Sequence, residues 1–132
     1  MSIYIHVPFC TSICTYCDFC KMFYNKKFIE YYLNALEEEI KERYQGEKVK
    51  TIFIGGGTPT SLDNNELTCL LKITKLFNIE KNIEFTIESN IESLTEEKLK
   101  IMKNYGVNRL SIGVQSFNNN ILKILGLKQK LC

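Results

Sequence analysis

The chain contains little that would direct it to a membrane, a nucleic acid or an export pathway. No run of about eighteen apolar residues occurs in its 132 residues, so no segment predicts a transmembrane helix. The opening MSIYIHVPF lacks the basic start and long apolar stretch of a signal peptide, which predicts a cytoplasmic protein. The net charge is only +2, and the lysines and arginines are scattered, which argues against binding to nucleic acid.

Histidine is almost absent as well. The single histidine, His6, lies on a predicted strand, where we expect a packed and hydrogen-bonded core residue rather than a metal ligand. A structural zinc site usually needs a histidine pair or a second cysteine pair a dozen or more residues away, and the sequence has neither near its cysteines. The scarcity of histidine therefore argues against a zinc finger.

Cysteine, in contrast, is concentrated in one place. The segment FCTSICTYCDFC (9–20) holds four of the 6 cysteines in the pattern C-x3-C-x2-C-x2-C. A disulfide staple, a closed site of four cysteines and an open site of three are the alternatives, and a reducing cytoplasm argues against the disulfide. Three thiolates at C-x3-C-x2-C can hold three irons of a cubane cluster and leave the fourth iron open. Elsewhere, Cys69 lies among helix leucines and is predicted to be a small buried hydrophobe.

The rest of the chain alternates between strand and helix patterns. With 45% hydrophobic and 24% charged residues, the composition is that of one globular domain. Strands are predicted at 2–7, 49–54, 83–88 and 107–114. Helices are predicted after the capping residues Asn25, Asp63, Thr95 and Asn118, and Gly46, Gly106 and Gly126 follow three of them. The spacing of four β-then-α units predicts an α/β fold with a parallel (βα)4 half-barrel.

Residues suited to ligand binding or catalysis follow the predicted strands. The cysteines follow the first strand, GGGTPT follows the second, Glu88 ends the third and Gln115 follows the fourth. In parallel βα folds the loops after the strands meet on one face and bind ligands there, so we expect one site. Four units do not close a barrel, and the two open edges predict a homodimer or the first part of a longer domain.

Three motifs resemble one known family. YIHVPFCTSICTYCDF resembles the opening of radical S-adenosylmethionine (SAM) proteins, and GGGTPT resembles their glycine motif. RLSIGVQSFN (109–118) is similar to the group that contains oxygen-independent coproporphyrinogen III oxidase and the heme chaperone HemW. The resemblance implies that residues 1–132 are the first part of a radical SAM partial TIM barrel, truncated before the later units and the C-terminal domain.

The resemblance also implies a set of site residues. A 4Fe–4S cluster would be held by Cys10, Cys14 and Cys17. SAM would be contacted by Tyr4, Tyr16, Gly56, Gly57, Thr58, Glu88 and Gln115. Cys20 as a fourth ligand would block SAM from the open iron, so we predict that Cys20 is a bystander or a thiol that lies next to the ligands without binding iron.

The implied function is that of a radical SAM protein of heme metabolism. In this family an electron from a donor protein reaches SAM through the cluster and breaks a carbon–sulfur bond. In the oxidase branch a further cysteine follows the third ligand by two residues, as C-x-C. This chain has Phe19 at that place in YCDFC, which favours the chaperone and a heme ligand. The alternatives are the oxidase, which decarboxylates propionate side chains, and a metal-binding fragment without activity. Leu127 and Gln129 replace an arginine and a histidine of the family, which predicts weak SAM binding.

Overall fold

The structure is a computed structural model that describes residues 1–12, 17–18 and 20–126. The predictions for Cys14, Tyr16, Phe19, Leu127 and Gln129 therefore lie outside the described residues. The strands are β1 (Ser2–Val7), β2 (Phe9–Cys10), β3 (Met22–Phe23), β4 (Lys48–Gly56), β5 (Asn78–Asn90) and β6 (Arg109–Gly113). The helices are α1 (Lys26–Arg43), α2 (Asn64–Ile73), α3 (Glu96–Asn104) and α4 (Asn119–Ile124).

The main sheet has four strands in the order β1-β4-β5-β6, and all of its neighbours are parallel. The α/β fold predicted from the alternating pattern is therefore confirmed. A second, two-stranded parallel sheet joins β2 to β3, the two stems of the cysteine loop. Strands of two residues are too short to give a periodic pattern, so the sequence did not predict them.

The helix starts follow the predicted capping chemistry. The side chain of Asn25 accepts hydrogen bonds from the amides of Lys27 and Phe28 at the start of α1. Asp63 and Glu66 form a complete capping box at the start of α2. These side chains satisfy amide groups that have no partner inside the helix, which fixes where each helix begins.

Three strands differ from their predicted bounds, and one of them, β4 (Lys48–Gly56), is only longer at both ends than the predicted 49–54. β5 begins at Asn78 rather than at 83, because Asn78 and Ile79 pair with β4 beyond a register shift in a charged segment that shows no alternation. β6 begins at Arg109 rather than at 107. The amide of its predecessor Asn108 still donates to the Phe85 carbonyl at 3.0 Å. The Asn108 side chain adds two bonds to β5, since it accepts from the Phe85 amide at 2.9 Å and donates to the Ile83 carbonyl at 2.7 Å.

One face of the sheet forms the hydrophobic core. Buried apolar residues alternate in the central part of β1, β4 and β5, and they share one cluster with buried leucines of α2. Thr86, between two of them on the opposite face of β5, is buried as well. The core residues of the strands are Ile5, Val7, Ile52, Ile54, Phe85 and Ile87. On the opposite face the register partners Tyr4, Phe53, Thr86 and Arg109 form a row that is aromatic or polar.

The prediction that Cys69 is buried is wrong. Leu67, Leu70 and Leu71 of α2 are fully buried, and their spacing places them on one helix face. Cys69 lies off that stripe and is exposed. Its leucine neighbours in sequence therefore do not enclose it.

Candidate functional site

A cavity of about 490 Å³ lies at the carboxyl ends of the four parallel strands. Seven of the residues predicted from the sequence line it: Cys10, Cys17, Gly56, Gly57, Thr58, Glu88 and Gln115. These residues come from four different loops or strand ends, which the parallel topology brings to one edge of the sheet. The expected convergence of the four strand ends is therefore observed.

The glycine loop after β4 lies directly against the chain that enters the cysteine loop. The Gly57 amide donates to the Val7 carbonyl at 2.8 Å, and the Thr58 amide donates to the Phe9 carbonyl at 2.9 Å. A Cβ atom at Gly57 would lie 2.7 Å from the Phe9 carbonyl oxygen and 2.9 Å from Cys10 Sγ. Only glycine permits this approach of two backbones, so the motif does more than make a tight turn.

Glu88 is fixed against the same glycine loop. Its Oε2 atom accepts a hydrogen bond from the Gly56 amide at 3.0 Å. A Cβ atom at Gly55 would lie 2.7 Å from that oxygen, so the absence of a side chain at Gly55 makes room for the carboxylate. Gly56 itself has φ +117, a conformation that other residues rarely adopt. The glycine loop thus orients an acidic side chain at the wall of the cavity.

The stems of the cysteine loop are held by main-chain and side-chain bonds. The Met22 amide donates to the Pro8 carbonyl at 2.7 Å, and the Tyr24 amide donates to the Cys10 carbonyl at 2.9 Å. The Tyr24 hydroxyl lies 2.9 and 3.0 Å from the two carboxylate oxygens of the buried Glu66. Burial and this hydrogen bond raise the pKa of Tyr24 to about 12. The base of the loop is therefore anchored to α2.

His6 connects β1 to the end of the cysteine loop. Its Nε2 atom lies 2.9 Å from the Cys20 carbonyl, which can only accept, so Nε2 carries a proton. In the neutral ring, Nδ1 then accepts from the Tyr4 hydroxyl at 3.1 Å. The prediction of a hydrogen-bonded histidine is confirmed, but its placement in the core is wrong. His6 is only partly buried, because it lies on the face opposite Ile5 and Val7.

Tyr4 is not a core residue, and it is not among the residues that line the cavity. Its side chain is exposed, and its ring stacks on Phe53 with 6.0 Å between the ring centroids. Partial burial, together with the negative charge of Glu88, raises the pKa of the Tyr4 hydroxyl. The described structure thus joins Tyr4 to the site through His6.

Gln115 follows β6 in a conformation that is uncommon for its residue type. Its φ is +63, in the left-handed region that favours glycine, and its side chain lines the cavity. Strained residues of this kind concentrate at binding sites, where the surrounding structure holds them in place. The backbone geometry therefore supports a functional role for Gln115.

Some lining residues were missed by the sequence reasoning. Ser89 and Asn90 extend β5 beyond Glu88, and Ser111 of β6 is the register partner of Glu88. The run Glu-Ser-Asn at a strand end was the available signal for the first two. Lys21 also lines the cavity, and its ammonium group donates to the Cys17 carbonyl.

The sequence profile of the Radical SAM superfamily matches residues 4–131, nearly the whole chain. The chain belongs to the Radical SAM superfamily. Membership in this superfamily implies SAM and a 4Fe–4S cluster as cofactors.

Relatives within this superfamily have names that refer to heme and porphyrin. The chain is 47% identical to the heme chaperone HemW of Bacillus subtilis (strain 168), over 98% of this chain and 35% of the relative. It is 44% identical to the heme chaperone HemW of Lactococcus lactis subsp. lactis (strain IL1403), over 95% of this chain and 33% of the relative. It is 33% identical to oxygen-independent coproporphyrinogen III oxidase of Escherichia coli (strain K12), over 98% of this chain and 29% of the relative.

A solved structure shows the same fold. The radical SAM enzyme coproporphyrinogen III oxidase (HemN) from Escherichia coli superposes with a TM-score of 0.89 at 33% identity, over 98% of this chain and 31% of that chain. The partial-barrel interpretation is consistent with this match. The chain spans about a third of the length of the relatives it matches.

The cavity of this radical SAM chain has the donor chemistry that an iron–sulfur cluster needs. The thiol-bearing residues Cys10 and Cys17 line it together, and sulfur is the preferred ligand of such clusters. Among residues 1–12, 17–18 and 20–126, no three metal-binding side chains are close enough to form a complete ligand set. Cys14, the remaining predicted ligand, lies outside those ranges.

Cys20 is exposed and is not among the residues that line the cavity. Its main-chain carbonyl is the group that interacts with His6. These observations favour the prediction that Cys20 is a bystander.

In the part of the chain that the structure describes, no helix is long and apolar enough to cross a membrane.

Proposed function

We propose that the chain is the SAM- and cluster-binding part of a heme chaperone of the HemW kind. One observation carries the proposal: two cysteines, the glycine loop, Glu88 and Gln115 line a single cavity in a radical SAM fold. Heme is proposed as the ligand because the relatives at 47% and 44% identity are named heme chaperones. Residues 1–132 then form one radical SAM core of four βα units.

Each residue of the cavity has a proposed role. Cys10, Cys14 and Cys17 would hold a 4Fe–4S cluster through their thiolates and would leave one iron for SAM. Bound together, the cluster and SAM supply one-electron cleavage of a carbon–sulfur bond. The main-chain carbonyls of Gly56 and Gly57 and the hydroxyl of Thr58 give the methionine part of SAM hydrogen-bond partners.

Polar side chains at the ends of β5 and β6 hold the remaining groups of SAM. Glu88, already oriented by the Gly56 amide, accepts from the ammonium group or from ribose hydroxyls. Gln115 offers both a donor and an acceptor from the end of β6. Tyr4 and Tyr16 are proposed as further SAM contacts, and the bond from Tyr4 to His6 gives Tyr4 a second role in orienting the loop.

A second candidate function is that of the oxidase. The solved oxidase superposes on this chain with a TM-score of 0.89, so the fold is compatible with this function. The segment YCDFC argues against it, because Phe19 occupies the place where the oxidase pattern has a cysteine. The higher identity to the chaperones points the same way.

The proposed chaperone needs partners. A small reducing protein would supply the electron, and heme or porphyrin would be the ligand, in the cytoplasm. A second copy of the chain could cover β1 or β6, because both strands are edges of the sheet. We therefore propose a homodimer.

Heme titration and porphyrin chemistry on the reconstituted chain test this function. We expect the chain, loaded anaerobically with iron and sulfide, to bind heme and to release no carbon dioxide from coproporphyrinogen III with SAM and a reductant. Release of carbon dioxide would support the oxidase instead. A colourless protein that retains stoichiometric zinc would identify a metal-binding fragment and exclude both radical SAM functions.

A further inference from the structure

Three hydroxyl groups, those of Thr60, Ser89 and Ser93, meet at the wall of the cavity. Thr60, at the end of GGGTPT, is fully buried, and its Oγ1 donates to Ser89 Oγ at 3.0 Å. Ser89 Oγ donates onward to the Asn90 carbonyl at 3.0 Å. Ser93 Oγ lies 2.5 Å from Thr60 Oγ1 and 3.4 Å from the Asn90 carbonyl, and its one proton is shared between these two acceptors. The chain of bonds joins the glycine loop to the end of β5.

Lys98 of α3 closes this network. Its ammonium group donates to the Thr60 carbonyl at 2.6 Å and to the Ser93 carbonyl at 3.3 Å. Burial lowers the pKa of Lys98, and the charges of Asp63 and Glu66 oppose that shift. A partly buried lysine is thus used to hold two main-chain segments together.

The two segments that Lys98 joins both reach the SAM-binding wall. Thr60 follows Thr58, which lines the cavity, and Ser93 closes the turn that begins at Asn90, since its amide donates to Asn90 Oδ1 at 2.8 Å. Ser89 and Asn90 line the cavity next to Glu88. A shift of Lys98 would therefore be transmitted to residues on both sides of the proposed SAM site.

We propose that Lys98 is a positioning residue for SAM, which it does not touch. It fixes the end of β5, and with it Glu88, against the glycine loop. The inference rests on the proposed function, because it assigns SAM to this cavity. Nothing in the spacing of the sequence indicates this role, since Lys98 is one of several lysines in the segment around α3.

A comparison within α3 shows why Lys98 differs from an ordinary surface lysine. Lys100, two residues further on, pairs with Glu96 at 2.7 Å, and both side chains are largely exposed. Such pairs contribute little, because water competes with them. Removal of Lys98 instead leaves the carbonyl of the buried Thr60 without its 2.6 Å donor.

Lys98→Met, Lys98→Arg and the control Lys100→Met test the proposal. We expect Lys98→Met to weaken SAM binding about tenfold, which is the lower end of the loss seen when a residue that orients a metal ligand is removed. It should also accelerate amide hydrogen exchange in residues 88–94, while iron content stays at the level of the unmodified chain. Lys98→Arg keeps a cationic donor and should recover part of both effects, and Lys100→Met should change neither.

The outcomes separate this inference from the proposed function. Unchanged SAM affinity together with unchanged exchange in residues 88–94 of Lys98→Met would overturn the role of Lys98. If the unmodified chain fails to bind SAM, the proposed function is wrong, and the exchange measurement alone decides whether Lys98 orders the end of β5. If Lys98→Met does not fold, SAM affinity and exchange in residues 88–94 are compared between Lys98→Arg and Lys100→Met. A larger change in Lys98→Arg supports the role of Lys98, and equal values overturn it.

Discussion

The glycine-loop junction and the β6–α4 end of the molecule are built in different ways. At the junction, the backbone of residues 55–60 donates hydrogen bonds to the backbone of residues 7–9. Phe9 and Cys10 lie so close to Gly57 that no side chain fits there. At the β6–α4 end, Phe117 and Ile124 are 85% and 83% exposed, and Ile112 of the edge strand is 45% exposed. The glycine-loop junction is enclosed by other residues of the chain, whereas the β6–α4 end presents apolar side chains to solvent.

The difference separates a region that the chain's own contacts hold in place from one whose apolar side chains stay exposed. Close backbone contacts at the junction leave one arrangement of the cysteine stem, the glycine loop and Glu88. Exposed apolar side chains beside an unpaired strand edge are typical of an interface. The comparison predicts sensitivity to small changes at the junction and tolerance of larger ones at the β6–α4 end.

The largest expected effect comes from a methyl group at the junction. Gly57→Ala places Cβ 2.7 Å from the Phe9 carbonyl oxygen, which is backbone and cannot rotate away. We expect a loss of about 1–3 kcal/mol in the free energy of unfolding, measured with urea, and a loss of bound iron after reconstitution.

Gly113→Ala is the matched control in β6. Its Cβ would lie 3.0 Å from Gln115 Nε2, the far end of a flexible side chain, so the stability should stay within about 0.5 kcal/mol. Equal losses in the two variants would remove the contrast between the regions.

A smaller effect is expected at the anchor of the cysteine loop. Tyr24→Phe removes the hydroxyl that bonds the buried Glu66 carboxylate. We expect a loss of about 1.5 kcal/mol at pH 7, as for hydrogen bonds to charged groups. Tyr31→Phe on the exposed side of α1 is the control and should change little.

The pH dependence of the Tyr24 bond has a definite sign. The pKa of Tyr24 is raised from the ordinary 10.0 to about 12, so the folded state keeps the proton longer than the unfolded state. The stabilisation is complete below pH 10.0 and is lost as the pH rises toward about 12. The difference between the unmodified chain and Tyr24→Phe should therefore shrink across this window, and a constant difference would contradict the assignment.

The smallest expected change in stability is at the β6–α4 end. Replacing Phe117 and Ile124 together with serine should alter the free energy of unfolding by no more than about 0.5 kcal/mol, because both side chains are exposed. Size-exclusion chromatography should nevertheless show less dimer than in the unmodified chain. Asn120→Ser on the same helix is the control, and persistence of the dimer in the double variant would exclude this surface as the interface.

Much of the fold follows from local patterns in the sequence. The bounds of β1 and the caps Asn25, Asp63 and Thr95 are those predicted, because they depend on alternation and on side-chain bonds to nearby amides. The convergence of Glu88 and Gln115 also follows, since parallel strands end at one edge. These features need no knowledge of distant contacts.

The parts that could not be predicted depend on contacts between distant segments. The early start of β5 depends on backbone pairing with β4, and the exposure of Cys69 depends on where the leucine stripe of α2 points. The network of Lys98 with Thr60 and Ser93 joins residues more than thirty positions apart. No single-sequence pattern encodes such pairings.

The cysteines provide the most direct test of the central claim, an open three-cysteine site at the junction. Iron content after anaerobic reconstitution should fall by most of its value in Cys10→Ser, Cys14→Ser or Cys17→Ser, because two thiolates hold a cubane weakly. Cys20→Ser should retain its iron, and SAM should change the electron paramagnetic resonance spectrum of the reduced sample. A loss of iron in Cys20→Ser as severe as in Cys14→Ser would show a closed four-cysteine site and contradict the account.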